Sequence, residues 1–439
     1  MNPSCELPIR AMPGAPREDV PSYIKWFYFQ TTSNIALINC TLGGPLFSLY
    51  LGTLGLDAAR IGMVVSLFPF MQVLALVSGG LVERMGFRRA FVIFHGVRKF
   101  FVIALAAAPW VLTMWGPAVA FGFVAACVAV FGILRSLGET AIYPWMKEFI
   151  PDECRGRVLG TAVVWSAITT VVGMLLLSGL VHQGAKWGWK PATPFQLAFV
   201  VLPLLALCGV MGTTKLPGGH SPRRHKPLAI FFCGLKRALR DANFRRFLLG
   251  DAMIVGISAL FVGLMPVYLL TVAAFDSAQI LLLGIAQMAG AVCSGYFNGR
   301  AVDRLGSRRV LLRILAGFAL LPALWLALPG LGRWSIPAAY LVYFLFGFVY
   351  NGAAIAVVRI LYNGIVPQKR KTEYLAVRYA VSGALAGFFP LLGGLSVCWM
   401  DGVSKHGVCS YLPAFLACTL ASLGGVIVFR KVGGGDAAR

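Results

Sequence analysis

Arg135 and Glu139 are charged residues in the middle of an otherwise apolar stretch, "FGILRSLGETAIYPW". Counted inward from Lys147 at about 1.5 Å per residue, they lie roughly 18 Å and 12 Å along a helix. Because side chains four positions apart share one face of a helix, the two can form an ion pair. In a medium of low dielectric an arginine can bind an anion, and a carboxylate can take up a proton. These two residues are therefore the first candidates for a binding and coupling site.

Three further basic residues are predicted to lie deep in apolar stretches. Arg359 lies roughly 12 Å inward from Pro367 on the same arithmetic. Arg98 and Lys99 lie roughly 13 Å and 15 Å from Arg89. With the first pair these residues sum to a charge of +3 (four cations less one anion), which favours an anionic or acceptor-rich ligand. The alternative is that the first pair is self-satisfied and the other residues are shallower, snorkel to the surface or pair with the acid.

Neutral polar residues in other apolar stretches are candidates to line the same site. For each of them alone, a hydrogen bond between helices is the commoner explanation. They are Asn34, Asn39, Gln72, Gln287, Tyr350 and Asn351. Glu139 is the deepest acid that could carry a proton, and Asp251, near one end of an apolar stretch, is a second acid to consider.

The composition indicates that this chain is dissolved in lipid. Hydrophobic residues make up 58% of it, charged residues 13%, and the mean hydropathy is +0.78. A soluble protein is usually about half apolar and a quarter charged. The net charge of +23 could suggest nucleic acid, but the basic residues lie between apolar runs and do not form a stripe with aromatic residues. A lipid bilayer, and not nucleic acid, is the expected partner.

Apolar runs separated by polar breaks predict twelve membrane-spanning helices, since about 20 apolar residues are needed to cross a bilayer. The expected fold class is an all-α integral membrane protein with two pseudo-symmetric six-helix bundles. The first six spans are 24–50, 59–82, 90–112, 118–146, 157–181 and 195–214. The second six are 246–271, 278–300, 309–329, 336–364, 374–397 and 410–430.

Lysine and arginine are concentrated in the loops after the even-numbered spans, which predicts that both termini are cytoplasmic and that the protein lies in the cell membrane. The predicted divisions are an N-terminal tail (1–22), a first bundle (23–214), a linker (215–244), a second bundle (245–431) and a C-terminal tail (432–439). Apolar and basic residues alternate from Pro227 to Asp241, which favours an amphipathic helix on the inner membrane surface. The alternative is a helix that binds a regulatory partner.

Two copies of one charged phrase, "GGLVERMGFRR" and "GRAVDRLGSRR", lie at corresponding points of the two halves. The first glycine of each lets another helix approach, and the acid four residues later lies on the same side of the helix. The second glycine can take the positive φ of a tight turn. The residues are Gly79, Glu83, Arg84, Gly86, Arg88 and Arg89, then Gly299, Asp303, Arg304, Gly306, Arg308 and Arg309.

Over nearly its whole length the chain resembles the major facilitator superfamily. That family carries Gly-x-x-x-Asp-Arg-x-Gly-Arg-Arg between helices 2 and 3, often repeated between helices 8 and 9; here Glu83 replaces the usual aspartate. The resemblance implies that this motif latches the cytoplasmic side and that helices 1, 4, 7 and 10 line a central cavity. Arg135 is similar to the arginine of the family's Arg-x-x-x-Gly motif for proton coupling, although Gly138 comes one residue early.

The resemblance implies a secondary active transporter, working by alternating access on an organic anion or a sugar-like solute. We expect a proton gradient as the energy source, no bound cofactor and a monomer. The alternatives are a transporter that exports amphiphiles and a non-transporting receptor on the same scaffold. The family's antiporter motif is missing from the fifth span, which weakens the export alternative.

Enzyme chemistry is not expected from this sequence. It shows no nucleophile and base pair, no phosphate-binding glycine loop followed by lysine, and no metal-ligand spacing. The ten cysteines are scattered. Cys398 and Cys409 flank one short loop, so they are either a disulfide or two isolated thiols.

Overall fold

A computed structural model describes residues 21–151, 154–220, 236–366, 371–403 and 407–433. The helices of the first half are α1 (Ile24–Asn39), α2 (Pro45–Thr53), α3 (Ala58–Phe70), α4 (Ala75–Met85), α5 (Phe87–Leu105), α6 (Ala108–Phe149), α7 (Arg155–Lys186) and α8 (Thr193–Gly212). Those of the second half are α9 (Ala242–Thr271), α10 (Ser277–Leu305), α11 (Ser307–Ala327), α12 (Ser335–Ile360), α13 (Lys371–Val403) and α14 (Val408–Arg430).

Two of the spans in the first half are each built from two helices. Between α1 and α2 the chain breaks at Gly43 and Gly44, whose backbone comes so close to Asn39 and Ile38 that a side chain has no room, and Pro45 then begins α2. A 3₁₀ turn at Met71–Leu74 joins α3 to α4, directly after Pro69. With these pairs combined, the described helices group into twelve spans, six in each half, and the predicted all-α membrane fold is confirmed.

Eight helical stretches are long and apolar enough to cross a membrane by themselves, and one of them, Ser307–Ile360, contains the two spans α11 and α12. The broken spans fall short in length, and α5 carries Arg88, Arg89, Arg98 and Lys99. The middle of the predicted linker and its amphipathic helix lie largely outside the described residues, apart from a helical stretch at 236–240. Most of both predicted tails, 1–20 and 434–439, lies outside them too, so the predicted divisions of the chain stay predictions.

The repeated phrase forms the same turn in both halves. Gly86 ends α4 and begins α5 with φ +84°, and Gly306 ends α10 and begins α11 with φ +86°. Each glycine N–H donates to a carbonyl four residues back, that of Val82 or Val302. Only glycine takes this positive φ without strain, so both turns require it. The two copies of the phrase are thus alike in local conformation as well as in sequence.

The halves pack against each other through α3 on α13, α7 on α10, and α2 on α9. Because the number of spans is even, both ends of the described chain lie on one side, which we call the terminal side; the other is the distal side. The described side-chain hydrogen bonds between the halves lie toward the distal side. Ser48 Oγ donates to Gly263 O at 2.7 Å, and Ser178 Oγ donates to Ala278 O at 2.9 Å.

The closest approach between the halves is a backbone contact between α3 and α13, also in the distal part. A Cβ on Gly62 would lie 2.3 Å from Pro390 O and 3.1 Å from Gly394 Cα. A Cβ on Gly394 would lie 2.4 Å from Ala58 O. The halves are therefore closed against each other at the distal side by small residues, as is usual for close helix packing in membranes.

The substitution Gly62→Ala tests this contact. We expect a loss of about 1–3 kcal/mol in stability, because the added methyl group has no room and the helices must move apart. The measurement is thermal unfolding of the purified protein. The control is Gly160→Ala on α7, where a Cβ meets nothing within 4 Å. Equal melting temperatures for the two variants would contradict the expectation.

Candidate functional site

Arg135 and Glu139 form an ion pair on α6. The distance from Arg135 Nε to Glu139 Oε1 is 2.5 Å, and the two side chains are 23% and 41% exposed. Partial exposure keeps both groups accessible to a ligand, whereas a fully buried pair would be closed off. The spacing of four residues is sufficient to explain the pair, since both side chains lie on one face of the helix.

Two stacked phenylalanine rings support Arg135 from behind. Its Cζ lies 4.2 Å from the centroid of the Phe68 ring, and Phe68 stacks on Phe131 with centroids 6.0 Å apart. On the far side Arg98 Cζ lies 5.3 Å from the Phe131 centroid. Guanidinium groups are attracted to the faces of aromatic rings. The stack therefore fixes the two arginines at opposite ends of one column.

Arg98 and Lys99 are fully buried, so neither snorkels to the surface. Arg98 NH2 donates to Asn34 Oδ1 at 2.6 Å. Lys99 Nζ donates to His95 O at 3.0 Å and lies 3.5 Å from the same Asn34 oxygen. Neither has a described hydrogen bond to Glu139. Their shared side-chain partner is the neutral Asn34 of α1.

His95 is a member of this cluster that the sequence analysis did not single out. It is buried, stacks on Phe91 with centroids 4.0 Å apart, and leaves both ring nitrogens without a described partner. A Cβ on Gly138 would lie 2.2 Å from His95 Cδ2, so that glycine makes room for the ring. A histidine one turn before two basic residues in an apolar span was the available signal.

Arg359 has a different partner from the one expected. It was predicted to face the central site, but its NH1 bonds Asp303 Oδ1 of the second motif copy, and the side chains are 41% and 66% exposed. Asp303 lies two residues before the end of α10, so the pair belongs to the terminal side. Counting residues gave the depth of the backbone and took no account of the reach of the side chain toward the surface.

Four of the neutral candidates fall into two groups: two make hydrogen bonds between helices, and two are partly exposed. Asn39 Nδ2 donates to Thr170 Oγ1 at 3.4 Å, and Asn351 Nδ2 donates to Ala291 O at 2.8 Å. Both therefore make hydrogen bonds between helices. Gln72 and Tyr350 are partly exposed, and Tyr350 stacks on Phe346 with centroids 6.0 Å apart.

In the first motif copy, Arg88 holds the chain that leaves α8. Its guanidinium donates to Thr214 O, and its backbone N–H donates to Gly219 O at 3.0 Å. Glu148 Oε2 accepts from Gly219 N at 2.6 Å, and Trp145 Nε1 donates to Pro217 O at 2.9 Å. We call Thr214–Gly219 the linker strap. It ties the start of the linker to the first bundle.

Other expectations for the motif fare differently. The motif arginines could pair with Glu148, Asp152 or Glu153 of a neighbouring loop, but Glu148 accepts from the strap instead. A Cβ on Gly299 would meet nothing within 4 Å, so no helix approaches closely there. The surroundings of Gly79, the side chain of Glu83, and residues Asp152 and Glu153 lie outside what the structure describes. The remaining motif arginines, Arg84, Arg89, Arg304, Arg308 and Arg309, are exposed or partly exposed.

A buried ion pair joins α9 to α13. Arg378 Nε and NH2 donate to the two carboxylate oxygens of Asp251, each at 2.9 Å. The Asp251 side chain is 3% exposed and that of Arg378 is 15% exposed. The sequence analysis named Asp251 but missed Arg378, although an arginine inside the apolar run "YLAVRYAVSG" was a signal of the same kind as Arg135.

Two further observations concern the chemistry that this chain can support. Cys398 and Cys409 are free and exposed, so they form no disulfide in this structure. Within the described residues, no cluster of His, Cys, Asp and Glu could hold a metal ion.

The linker strap is tested by Gly219→Ala. This glycine has φ +77°, and a Cβ there would lie 2.6 Å from Arg88 Cβ and 2.8 Å from Trp145 Nε1. We expect the strap to be released, so that trypsin cleaves after Lys215 several times faster. Gly188→Ala is the control, because it has φ +72° but open space around the Cβ. Cleavage at the wild-type rate in Gly219→Ala would show that the strap does not depend on this fit.

The buried ion pair is tested by Asp251→Asn. Removing the carboxylate breaks a buried ion pair, so we expect a loss of about 3–5 kcal/mol in stability. The double variant Asp251→Leu/Arg378→Met should recover much of that loss, because it removes both charges of the pair. Thermal unfolding measures both. A single variant as stable as the wild type would show that the pair is not held as described.

Comparison with known proteins places the chain in a family. A model of the Major Facilitator Superfamily matches residues 31–390. The curated proteins gave no match. Among solved structures, the nucleoside transporter NupG is 14% identical, with 94% of this chain and 99% of that chain covered and a TM-score of 0.68.

Two other solved structures have the same fold. The inward-open xylose transporter XylE from E. coli is 16% identical, with 94% of this chain and 98% of that chain covered and a TM-score of 0.66. A bacterial homologue of the human lysosomal transporter Spinster, inward-facing and unoccupied, is 13% identical, with 94% and 96% covered and a TM-score of 0.63. The family model spans most of the sequence, and the family's architecture accounts for the twelve spans and the paired glycine turns. The chain therefore belongs to the major facilitator superfamily, whose members are membrane transporters.

Proposed function

We propose that the protein is a proton-coupled symporter that moves a small anionic solute across the cell membrane by alternating access. The observation that supports it most directly is the partly exposed Arg135–Glu139 pair in the second half of α6. It combines a group that binds anions with a group that carries protons. The buried Arg98 and Lys99 behind it add positive charge, and a low-dielectric wall strengthens their field on the exposed side.

The pair suggests a mechanism of exchange. An anionic solute binds Arg135 and displaces the Glu139 carboxylate from it. Once displaced, the carboxylate has lost its cationic partner and takes up a proton. The anion and the proton bring opposite charges, so the loaded site keeps the net charge of the empty one. The halves can then rock past each other, and the solute and the proton leave on the other side.

The packing of the halves supports alternating access as the mode of transport. Described hydrogen bonds between the halves, and the contact at Gly62, lie toward the distal side, whereas the two motif copies lie at the terminal side. In this proposal the terminal side is cytoplasmic, because the motif arginines face it. The protein acts as a monomer, draws on the proton gradient and needs no bound cofactor.

A neutral sugar-like or nucleoside-like solute is the second candidate. Solved structures with this fold include a nucleoside transporter and a D-xylose–proton symporter. The partly exposed Gln72 and Tyr350 could hydrogen-bond hydroxyl groups. A thermal-shift screen of the purified protein against organic anions and neutral sugars separates the two, because a ligand of the folded state raises its stability. Stabilisation by neutral compounds alone would favour this second candidate.

The coupling role of Glu139 is tested by Glu139→Gln in proteoliposomes with an imposed pH gradient. We expect solute exchange to continue and uphill accumulation to be lost, because glutamine cannot carry the proton. Asp276→Asn is the control, since this exposed residue caps α10 at the distal side and asparagine is also a good cap. Full accumulation by Glu139→Gln would refute the proposed coupling, and binding without any flux in the wild type would indicate a receptor.

A further inference from the structure

Two buried cations converge on a single neutral oxygen in the first bundle. The guanidinium of Arg98 and the ammonium of Lys99 both reach from α5 to Asn34 Oδ1 on α1, at 2.6 Å and 3.5 Å. Both cations have no exposed surface, whereas Asn34 is partly exposed. Asn34 thus lies between the cations and the surface that a ligand can reach.

The two cations fix the orientation of the Asn34 amide. Arg98 Nε and NH1 are buried and have no described partner. This guanidinium therefore has donor groups for which no acceptor is described. The charged and titratable groups around it are His95 and Lys99 on α5, and Arg135 and Glu139 on α6. Glu139, the one acid among them, is bound to Arg135. A flip of the amide would place an N–H donor against two cations, which is electrostatically unfavourable.

The fixed carbonyl determines what Asn34 offers on its exposed side. With Oδ1 directed at the cations, the Nδ2 group points away from them, and within the described part of the chain it donates no hydrogen bond. Arginine also has donors and no acceptor. Asn34 and Arg135 therefore present donors in this region, and the partly exposed acceptor beside them, Glu139, is bound to Arg135.

We propose that Asn34 is a solute-binding residue that acts only as a hydrogen-bond donor, with Arg98 and Lys99 as the positioning residues that hold it in that orientation. The inference rests on the proposed transport function and makes its substrate class more specific. The solute group received here is an anionic acceptor such as a carboxylate. A ligand ammonium group has no acceptor atom for this N–H, so it is rejected. A ligand hydroxyl can act toward this amide only as an acceptor.

The experiment uses purified full-length protein and acetate as the minimal carboxylate. Binding is measured by the line broadening of ¹³C-acetate at constant ionic strength, with acetamide and methylammonium as neutral and cationic comparisons. Thermal unfolding without ligand is measured in parallel. The variants are Asn34→Asp, Asn34→Ala and Arg98→Met, and the control is Asn298→Asp, a buried asparagine whose described hydrogen bond goes to Ser294 and not to a cation.

For Asn34→Asp we expect the melting temperature to rise and the acetate affinity to fall. The new carboxylate pairs with Arg98 and Lys99, so the melting temperature rises, whereas in Asn298→Asp it falls. Acetate affinity falls at least tenfold in Asn34→Asp, because the donor is lost and a negative charge is added. Asn34→Ala, and Arg98→Met if it folds, also lose acetate affinity. A residue with a purely structural role would not give higher stability together with weaker binding.

Three outcomes would overturn the proposal. One is a wild type that does not bind acetate more tightly than acetamide and methylammonium. Another is an Asn34→Asp protein that keeps the wild-type affinity for acetate, and the third is one that loses stability as the control does. Because acetate binding is measured without a gradient, failure of the Glu139→Gln transport test would leave these results intact. Loss of acetate binding would likewise leave the coupling test valid.

Discussion

A charge inside a lipid bilayer must have a partner, because water is not there to solvate it. Much of the arrangement of polar residues in this protein follows from that constraint. Asp251 and Arg378 satisfy each other through two parallel hydrogen bonds. Arg135 has an acid on one side and an aromatic ring on the other. Among the described residues, Arg98 and Lys99 make hydrogen bonds only to neutral partners, so their charge is incompletely compensated. This imbalance is the basis of the proposed preference for negative ligands.

The two halves repeat a backbone conformation but use it differently. Gly86 and Gly306 form the same turn with nearly the same φ. In the first half, Arg88 after the turn binds the linker strap. In the second half, Asp303 before the turn binds Arg359 of α12. The glycines are fixed by sterics, whereas the charged side chains around them are free to take new partners. The two halves therefore share the turn but not the contacts made around it.

The sequence predicted what depends on local spacing. Apolar runs predicted the twelve spans, and the interval of four residues predicted that Arg135 and Glu139 share a face. The sequence did not predict the ion pairs Arg359–Asp303 and Arg378–Asp251, because these pairs depend on how each helix is rotated against its neighbours. Asn34 was named only as one neutral candidate among several. Its importance became visible when the structure placed Arg98 and Lys99 behind it.

The glycine contact between α3 and α13 also bears on permeability. At Gly62 and Gly394 backbone lies against backbone, with no side chain between them and no room even for a methyl group. Protons cross a membrane protein along continuous chains of water or titratable groups, and a contact with no room for water interrupts both. In the proposed transport cycle, this contact closes a path by which ions could pass the site at the distal side. The smallest residues in these helices would thus protect the gradient on which the proposed coupling depends.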